Sequence, residues 1–558
     1  MNAGPTIGIL SPFLGGPYFG GVIAAVARLV RLDGGRTIAM QTLDAGTESA
    51  DQPGPPAYRH QVAWQHLDGL IVVIEAVDAG YLAAFQATGR PVVVIGHRYP
   101  DLSCPVVLAD NSAGVASAVA HLIEHGHTRI GFSGYLAAYD IATRHQAYRD
   151  TLLAHDIEPD PALCFPAEDN NERAGELAGD AVLAAGLPCT ALVAGTDANA
   201  IGLVRRITAA GHSVPERLAV VGFDDMEEAT YAIPSLSSVK QPFDELGATG
   251  YRLLARMLRG EALAHEAHKV PTSFIVRESC GCSPARTIGA GPLPPATRDV
   301  LRARLSGLLD PSGFLDGDPA LGEAVDVIAT VVEAAADGRP APVPTRFHHA
   351  LRSLYRRTTL RANLEEIGEV VRQYALAVAL RADHPTARLA VERPIQEIIL
   401  KLAQARASGQ YGDSAFYQSA LSTQYVVSME LLRSHEKDPR TLGWLTRTQS
   451  LGGCLGLWHQ GNRGPGPDPA VTIAGRYVRG ATPPGDGGDG GDDAVVLSTA
   501  AFPPEDMLRL ADETSDAMVF VIPVRSETSD WGLLTVVGTI DSAIPTGRET
   551  ISQWSALL

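Results

Sequence analysis

The chain has 558 residues, enough for roughly three or four domains at about 150 residues each. Its composition, 45% apolar and 19% charged, is ordinary for a globular protein, and a formal charge of −18 argues against a broad nucleic-acid footprint, which needs clustered Lys and Arg. The opening MNAGPTIGIL lacks the pattern of a signal peptide, no run of about 18 apolar residues occurs, and the six cysteines are scattered, so the expectation is a cytoplasmic protein without a disulfide framework.

Residues 6–279 read as repeated strand–helix units. Apolar runs recur as TIGIL (6–10), GLIVVI (69–74), PVVVIG (91–96), RIGFSG (129–134), ALVAG (191–195) and LAVVGF (218–223). Helix-period segments such as GGVIAAVARLVRL (20–32) and SAGVASAVAHLIEHG (112–126) lie between them. Uninterrupted β-branched runs separated by helices point to parallel sheet buried on both faces. The length exceeds one sheet domain, so two lobes are expected.

Residues 283–344, rich in Pro and Gly, read as a linker with short helices. From 345 to 448 the three- and four-residue apolar spacing of NLEEIGEVVRQYALAVALRA (363–382) and RPIQEIILKLAQA (393–405) predicts a helical region. The remainder, 449–558, turns to short strands, with AMVFVIPV (517–524) and WGLLTVVG (531–538) as a hairpin in an α+β module whose architecture resembles GAF or PAS domains.

The run LAVVGFDDMEEAT (218–230) stops at two adjacent aspartates, and ligands of open α/β sheets sit outside the carboxyl ends of strands. It stands in an ordered series: HGHTRIGFSG (125–134), ATRHQAYRDTL (142–152), GTDANAIGL (195–203), GFDD (222–225) and VRESCGC (276–282). That order and spacing resemble the ligand-binding domain of the LacI/GalR repressor family over residues 6–279, within a domain expected to span 6–282. The resemblance implies an α/β fold of the type-1 periplasmic-binding-protein kind: two Rossmann-like lobes, three crossing segments, a small ligand in the cleft, and dimerisation. On the motif matches it implies pocket roles for Asp224, for Arg144 as a five-donor fork, for the rings of Tyr18 and Phe19, and for Asp197. Thr196 stands where the family has an asparagine before that aspartate. Asp140 and Asn170 fall at looser pocket positions. Asp225 reads as the cap of the helix that follows.

With the first core strand expected from Thr6, the family's helix-turn-helix is not expected ahead of it. The fusion to helices and a GAF-like module resembles instead the sensory half of actinobacterial signalling proteins of the diguanylate-cyclase type. The expected function is therefore a small-molecule sensor, for a sugar, purine or related metabolite, whose lobe closure acts on the C-terminal modules; the alternative is a LacI-like transcriptional regulator acting on DNA directly or through a partner. No nucleophile–base set, cofactor motif or metal-ligand spacing stands out. HGH (125–127) reads as a helix end, CGC (280–282) lacks a second pair, and GDGGDGGDD (485–493) reads as a flexible loop. A homodimer is expected, residues 1–285 are expected to fold alone, and the chain is expected to cross between lobes near 128, 240 and 270.

Overall fold

The computed structural model describes residues 4–44, 54–282, 293–309, 319–340, 343–357, 364–382, 386–432, 438–459, 469–481, 495–514, 517–525 and 530–539. Two compact units result: one joins the chain up to Pro284 with the chain from Ser422, and the other spans Ala285–Leu421. The glycine-rich run 485–493 and the terminal ETISQWSALL lie outside the described residues.

The first unit begins with strands β1 (Thr6–Ser11), β2 (Arg36–Gln41), β3 (Gly69–Val73), β4 (Val92–Ile95) and β5 (Val106–Ala109), interleaved with α1 (Gly21–Leu32) and α2 (Ala79–Gln86). The next stretch is α3 (Asn111–Glu124), β6 (Ile130–Gly134), α4 (Tyr139–Ala154), β7 (Cys164–Pro166), α5 (Glu172–Ala184), β8 (Ala191–Ala194), α6 (Asp197–Ala209), β9 (Ala219–Asp224), α7 (Glu227–Tyr231) and β10 (Ser237–Lys240). Then α8 (Phe243–Leu258) and β11 (Ala267–Val270) rejoin the first sheet, and β12 (Ser273–Ile275) closes the second. The sheet orders are β11-β5-β4-β3-β1-β2 and β12-β10-β9-β8-β6-β7, parallel except for β10 with β12. Every residue of TIGILS, GLIVV and VVVI is buried, as two covered faces require. On one of those faces α1 packs against α8 so closely that a Cβ at Gly247 would lie 2.5 Å from the Val22 carbonyl oxygen.

The lobes are joined at Asp110, at Gln241–Pro242 and at Pro271–Thr272. The second and third crossings fall where the sequence placed them. The first lies near 110, not 128, because α3 packs on α4 and β10 of the second lobe. Helical periodicity at 112–126 reveals an apolar face but not which sheet covers it.

The second unit is helical: α9 (Arg298–Leu309), α10 (Pro319–Ala336), α11 (Thr345–Arg357), α12 (Leu364–Ala379) and most of α13 (Ala387–Leu432). Its core gathers Leu305, Val325, Ile328, Val332, Phe347, Val371, Tyr374 and Ile398. α10, in the stretch read as linker, is 18 residues long and a principal wall of that core. Its acidic Glu333 pairs with Arg298 at 2.8 Å and accepts from the Tyr374 hydroxyl at 2.9 Å.

The C-terminal strands are β13 (Gly452–Trp458), β14 (Ala470–Val478), β15 (Val496–Ser498), β16 (Ala517–Arg525) and β17 (Asp530–Thr539), with α14 (Glu505–Asp512) before the final pair. They form an antiparallel run, β16-β17-β13-β14-β15, and it does not stand apart from the lobes. β16 pairs in parallel with β2, Val519 to Ile38 and Val521 to Met40, making one sheet of eleven strands. Val519 and Val521 face one core and Phe520 the other, and both cores contain first-lobe residues such as Ile9 and Met40. Around this seam Arg31 donates to the carbonyls of Ala517 (2.5 Å) and Ala511 (3.2 Å), and Arg36 pairs with Asp512 at 3.0 Å. Arg525 pairs with Asp44.

Whether residues 1–285 fold alone, as the sequence leads one to expect, depends on how much the lobe gains from β16. A fragment of residues 1–284 would leave β2 as an open edge and expose apolar side chains worth about 1.5–3 kcal/mol each. Its thermal midpoint should fall on the order of 10 °C below that of the full chain, with aggregation above it. Calorimetry on the two proteins checks this; equal midpoints would mean that the shared sheet contributes nothing to the lobes.

Candidate functional site

The site lies where strand ends of the two lobes face one another at the crossings. From the second lobe come the ends of β6, β8 and β9 and the first turn of α4. From the first come the loop after β1 and the residues that follow β3 and β4.

Arg144, on α4, is its centre. The side chain is 2% exposed, and each of its nitrogens donates: Nε to Asn111 Oδ1 (2.9 Å), Nη1 to the Gly195 carbonyl (2.6 Å) and Nη2 to Gln241 Oε1 (2.9 Å). Asp140, one turn earlier on the same helix, lies 3.0 Å from Nη2, and Asp224 Oδ1 lies 3.7 Å from Nη1. The guanidinium carbon sits 3.6 Å over the Phe223 ring, a cation–π contact away from water. Asn111 begins α3 just after the first crossing and Gln241 belongs to the second, so one side chain ties both. The third is tied to the first by the Thr272 hydroxyl, which donates to the Asp110 carbonyl at 2.9 Å.

Asp224 closes β9 with φ +115°, and Asp225 follows with φ +55°. Two successive non-glycine residues in this region cost about 1–3 kcal/mol each, a strain that clusters at ligand sites. The two carboxylates part company. Asp224 keeps a 17% exposed side chain beside Arg144. Asp225 is buried with Arg277, whose Nη2 lies 2.6 Å from its Oδ1. It does not cap α7, whose N-cap is Met226 without a side-chain bond.

Tyr18 and Phe19 occupy a short π-helical turn, Gly16–Gly20. Their rings meet edge-on at 5.1 Å, with Phe13 5.9 Å from Phe19 and Phe243 5.3 Å from Tyr18. Burial pushes the Tyr18 phenol up strongly, and the carboxylates of Asp140 and Asp224 push it further while Arg144 opposes them. A first-lobe ring thus feels second-lobe charges. Gly96, after β4, has no room for a Cβ, which would come within 2.5 Å of the Tyr18 hydroxyl.

Asp197 stands behind the wall. It is wholly buried; Oδ1 accepts from the Ser238 hydroxyl at 2.6 Å and Oδ2 from the Met226 amide at 2.7 Å, which fixes the turn after Asp224. Burial, followed by the Asp224 charge, raises its carboxyl well above the usual range. Asn170 sits in the loop before α5, which Asn199 holds through the carbonyls of Asp169 (3.1 Å) and Asn171 (2.8 Å). The structure therefore brings together Tyr18, Phe19, Asp140, Arg144 and Asp224, and sets Asp197 and Asn170 in the support around them.

Glu75, His97 and Tyr139 were not read from the sequence. His97 lies 4.0 Å from Glu75, and its ring is 5.7 Å from that of Tyr139, the first residue of α4, so this contact crosses the lobes. Burial lowers the imidazole, opposed by Glu75 and Asp140. Glu75 and His97 directly follow the runs IVVI and VVVIG, so the strand-end rule applied to Asp224 points at them equally.

If Asp225 merely capped a helix, Asp225→Ala would cost about 1 kcal/mol. Removing one partner of a buried pair instead costs about 3–5 kcal/mol. Urea unfolding of this variant should give the larger loss, with the double variant Asp225→Asn, Arg277→Met recovering part of it; a loss near 1 kcal/mol returns Asp225 to the capping role.

Residues 119–280 match the model of a periplasmic binding protein-like domain. The chain is similar to the HTH-type transcriptional regulator CelR of Thermobifida fusca, at 29% identity over 266 residues, 47% of this chain and 76% of that protein. It is similar to the ribose operon repressor of Halalkalibacterium halodurans at 26% identity over 278 residues, 49% of this chain and 78% of that one. A solved structure of a LacI family transcriptional regulator from Mycobacterium smegmatis matches 49% of this chain and 98% of its own, at 25% identity and a TM-score of 0.43. The first half of the chain carries a two-lobed α/β ligand-binding domain of the LacI, periplasmic-binding-protein-like type.

Proposed function

We propose that this chain is a ligand-responsive regulator of transcription that binds a small hydroxyl-rich metabolite between its lobes. The observation that carries the reading is the meeting of Asp140 and Asp224 with Arg144 beside the first-lobe rings of Tyr18 and Phe19, at the segments that join the lobes. Carboxylates accept from ligand hydroxyls, and aromatic rings cover an apolar face. Because Arg144 already holds Asn111 and Gln241, a ligand that competes for Asp140 or Asp224 changes the balance of charge at the crossings. Such a ligand shifts the lobes only by its differential affinity for their arrangements. Similarity to transcriptional regulators supports the regulatory half of the reading.

With a formal charge of −18, any DNA contact would have to come from a basic segment or a DNA-binding partner rather than from the surface at large. A second reading has its own observation: β16 on β2 makes the C-terminal α+β module an extension of the first lobe's sheet, so closure could be passed to that module directly. Binding at the cleft, without chemistry, suffices for both. A cytoplasmic homodimer fits both as well.

Thermal-shift screening of sugars, nucleosides and organic acids on the full chain should find a stabilising ligand. With that ligand, Asp224→Ala and Asp140→Ala should each bind roughly ten- to a hundredfold more weakly, as loss of a charged hydrogen bond of about 1.5–3 kcal/mol implies. Unchanged calorimetric affinity in both variants removes the cleft from the account. Selection of genomic fragments then separates the readings: a discrete fragment released by the ligand supports transcriptional control, and no enrichment favours the module.

A further inference from the structure

The second lobe carries a cluster away from the cleft. His121 and His125 stand one turn apart on α3, their rings 4.4 Å between centroids. Against them lies the turn after β12, with Cys280 and Cys282. Cys282 Sγ is 3.5 Å from His121 Nε2 and 3.4 Å from His125 Nε2, and Cys280 Sγ is 3.4 Å from His121 Nε2. Donor atoms of His121, His125 and Cys282 all lie within 4.8 Å of one another. Zinc bonds of about 2.3 Å to sulfur and about 2.0–2.1 Å to nitrogen at tetrahedral angles set a sulfur–nitrogen edge of about 3.6 Å. The three observed separations are close to that edge.

We propose that His121, His125 and Cys282, with Cys280 as fourth ligand, form a zinc site that fastens α3 to the end of the second lobe. Two thiolates and two imidazoles are a soft, nitrogen–sulfur set suited to zinc, and binding releases the two thiol protons to solvent. Cys280 is 1% exposed, its thiol donates to the Arg277 carbonyl at 3.4 Å, and its Sγ already lies 3.4 Å from His121; as a thiolate it would give up the bond to Arg277 to complete the set. The sequence reading passed over this set because it weighed His125 with His127. Helical spacing selects His121 instead, and His127 is engaged elsewhere, its Nδ1 2.9 Å from Thr190 Oγ1.

The placement gives the ion a mechanical role. α3 follows the first crossing at Asp110, and Cys282 precedes the boundary of the first compact unit at Pro284. An ion there would hold the chain's exit from the lobe to the helix that starts at a hinge segment.

Full-length protein purified without chelator should contain about one zinc per chain by elemental analysis. After stripping and reduction, cobalt should give tetrahedral d–d bands with a thiolate charge-transfer band. His121→Ala and Cys282→Ser should bind zinc roughly tenfold or more weakly against a chromophoric chelator and lose the cobalt spectrum, whereas His127→Ala keeps both. Should either variant fail to fold by circular dichroism, His125→Ala, at an exposed position, decides. Wild-type protein that takes up no cobalt with a thiolate band overturns the proposal. So does a folded His125→Ala, Cys282→Ser double variant with full zinc content, or a Cys280–Cys282 disulfide in fresh protein that binds no ion after reduction.

Discussion

The guanidinium of Arg144 is the interaction on which the ligand-binding half depends. A buried charge is expensive to take out of water, and here every nitrogen of the planar fork meets an acceptor: Asn111, Gly195, Gln241 and Asp140, with Asp224 close by and the Phe223 ring beneath. Those partners come from two of the three segments that join the lobes, from the end of β8 and from the start of α4. The same charge that organises the cleft therefore holds the lobes' connection. Asp197 and the Asp225–Arg277 pair support it from behind by fixing the strained turn that presents Asp224.

A second constraint is the edge of the first lobe's sheet. β2 would be an open edge, and β16 closes it from more than 470 residues further along the chain. The antiparallel C-terminal strands thereby share two apolar cores with the first lobe. A domain built this way has one edge of its first lobe's sheet committed to the module, which makes the module's own stability part of the lobe's.

Much of the α/β half was legible. Runs such as GLIVV and VVVI announce strands covered on both faces, and the GFDD stop marks the carboxyl end of one. What resisted reading was non-local. Nothing in RTIAMQ names AMVFVIPVR as its neighbour, since a parallel pair leaves no local turn signal. Helix 112–126 shows its apolar face without naming its sheet, so the first crossing was misplaced. Asp225 looked like a cap because N-cap chemistry is local, whereas its partner Arg277 lies 52 residues on. At the site, motif-bearing residues were found, but Glu75 and His97, Asn111 and Gln241 were not. Glu75 and His97 follow apolar runs and were open to the strand-end rule, whereas Asn111 and Gln241 matter by their place at the crossings, which becomes visible only once the lobes are assembled.

Hydrogen exchange read by mass spectrometry, on wild type and Arg144→Lys without ligand, tests the central claim most directly. A lysine cannot serve the same acceptors, and a loss of about 3 kcal/mol at the crossings corresponds to about a hundredfold faster local opening. The account predicts that faster exchange in peptides containing Asn111 and Gln241, with β1 and β3 protected as before. Unchanged exchange at both crossings, or an equal rise throughout the lobes, would contradict it.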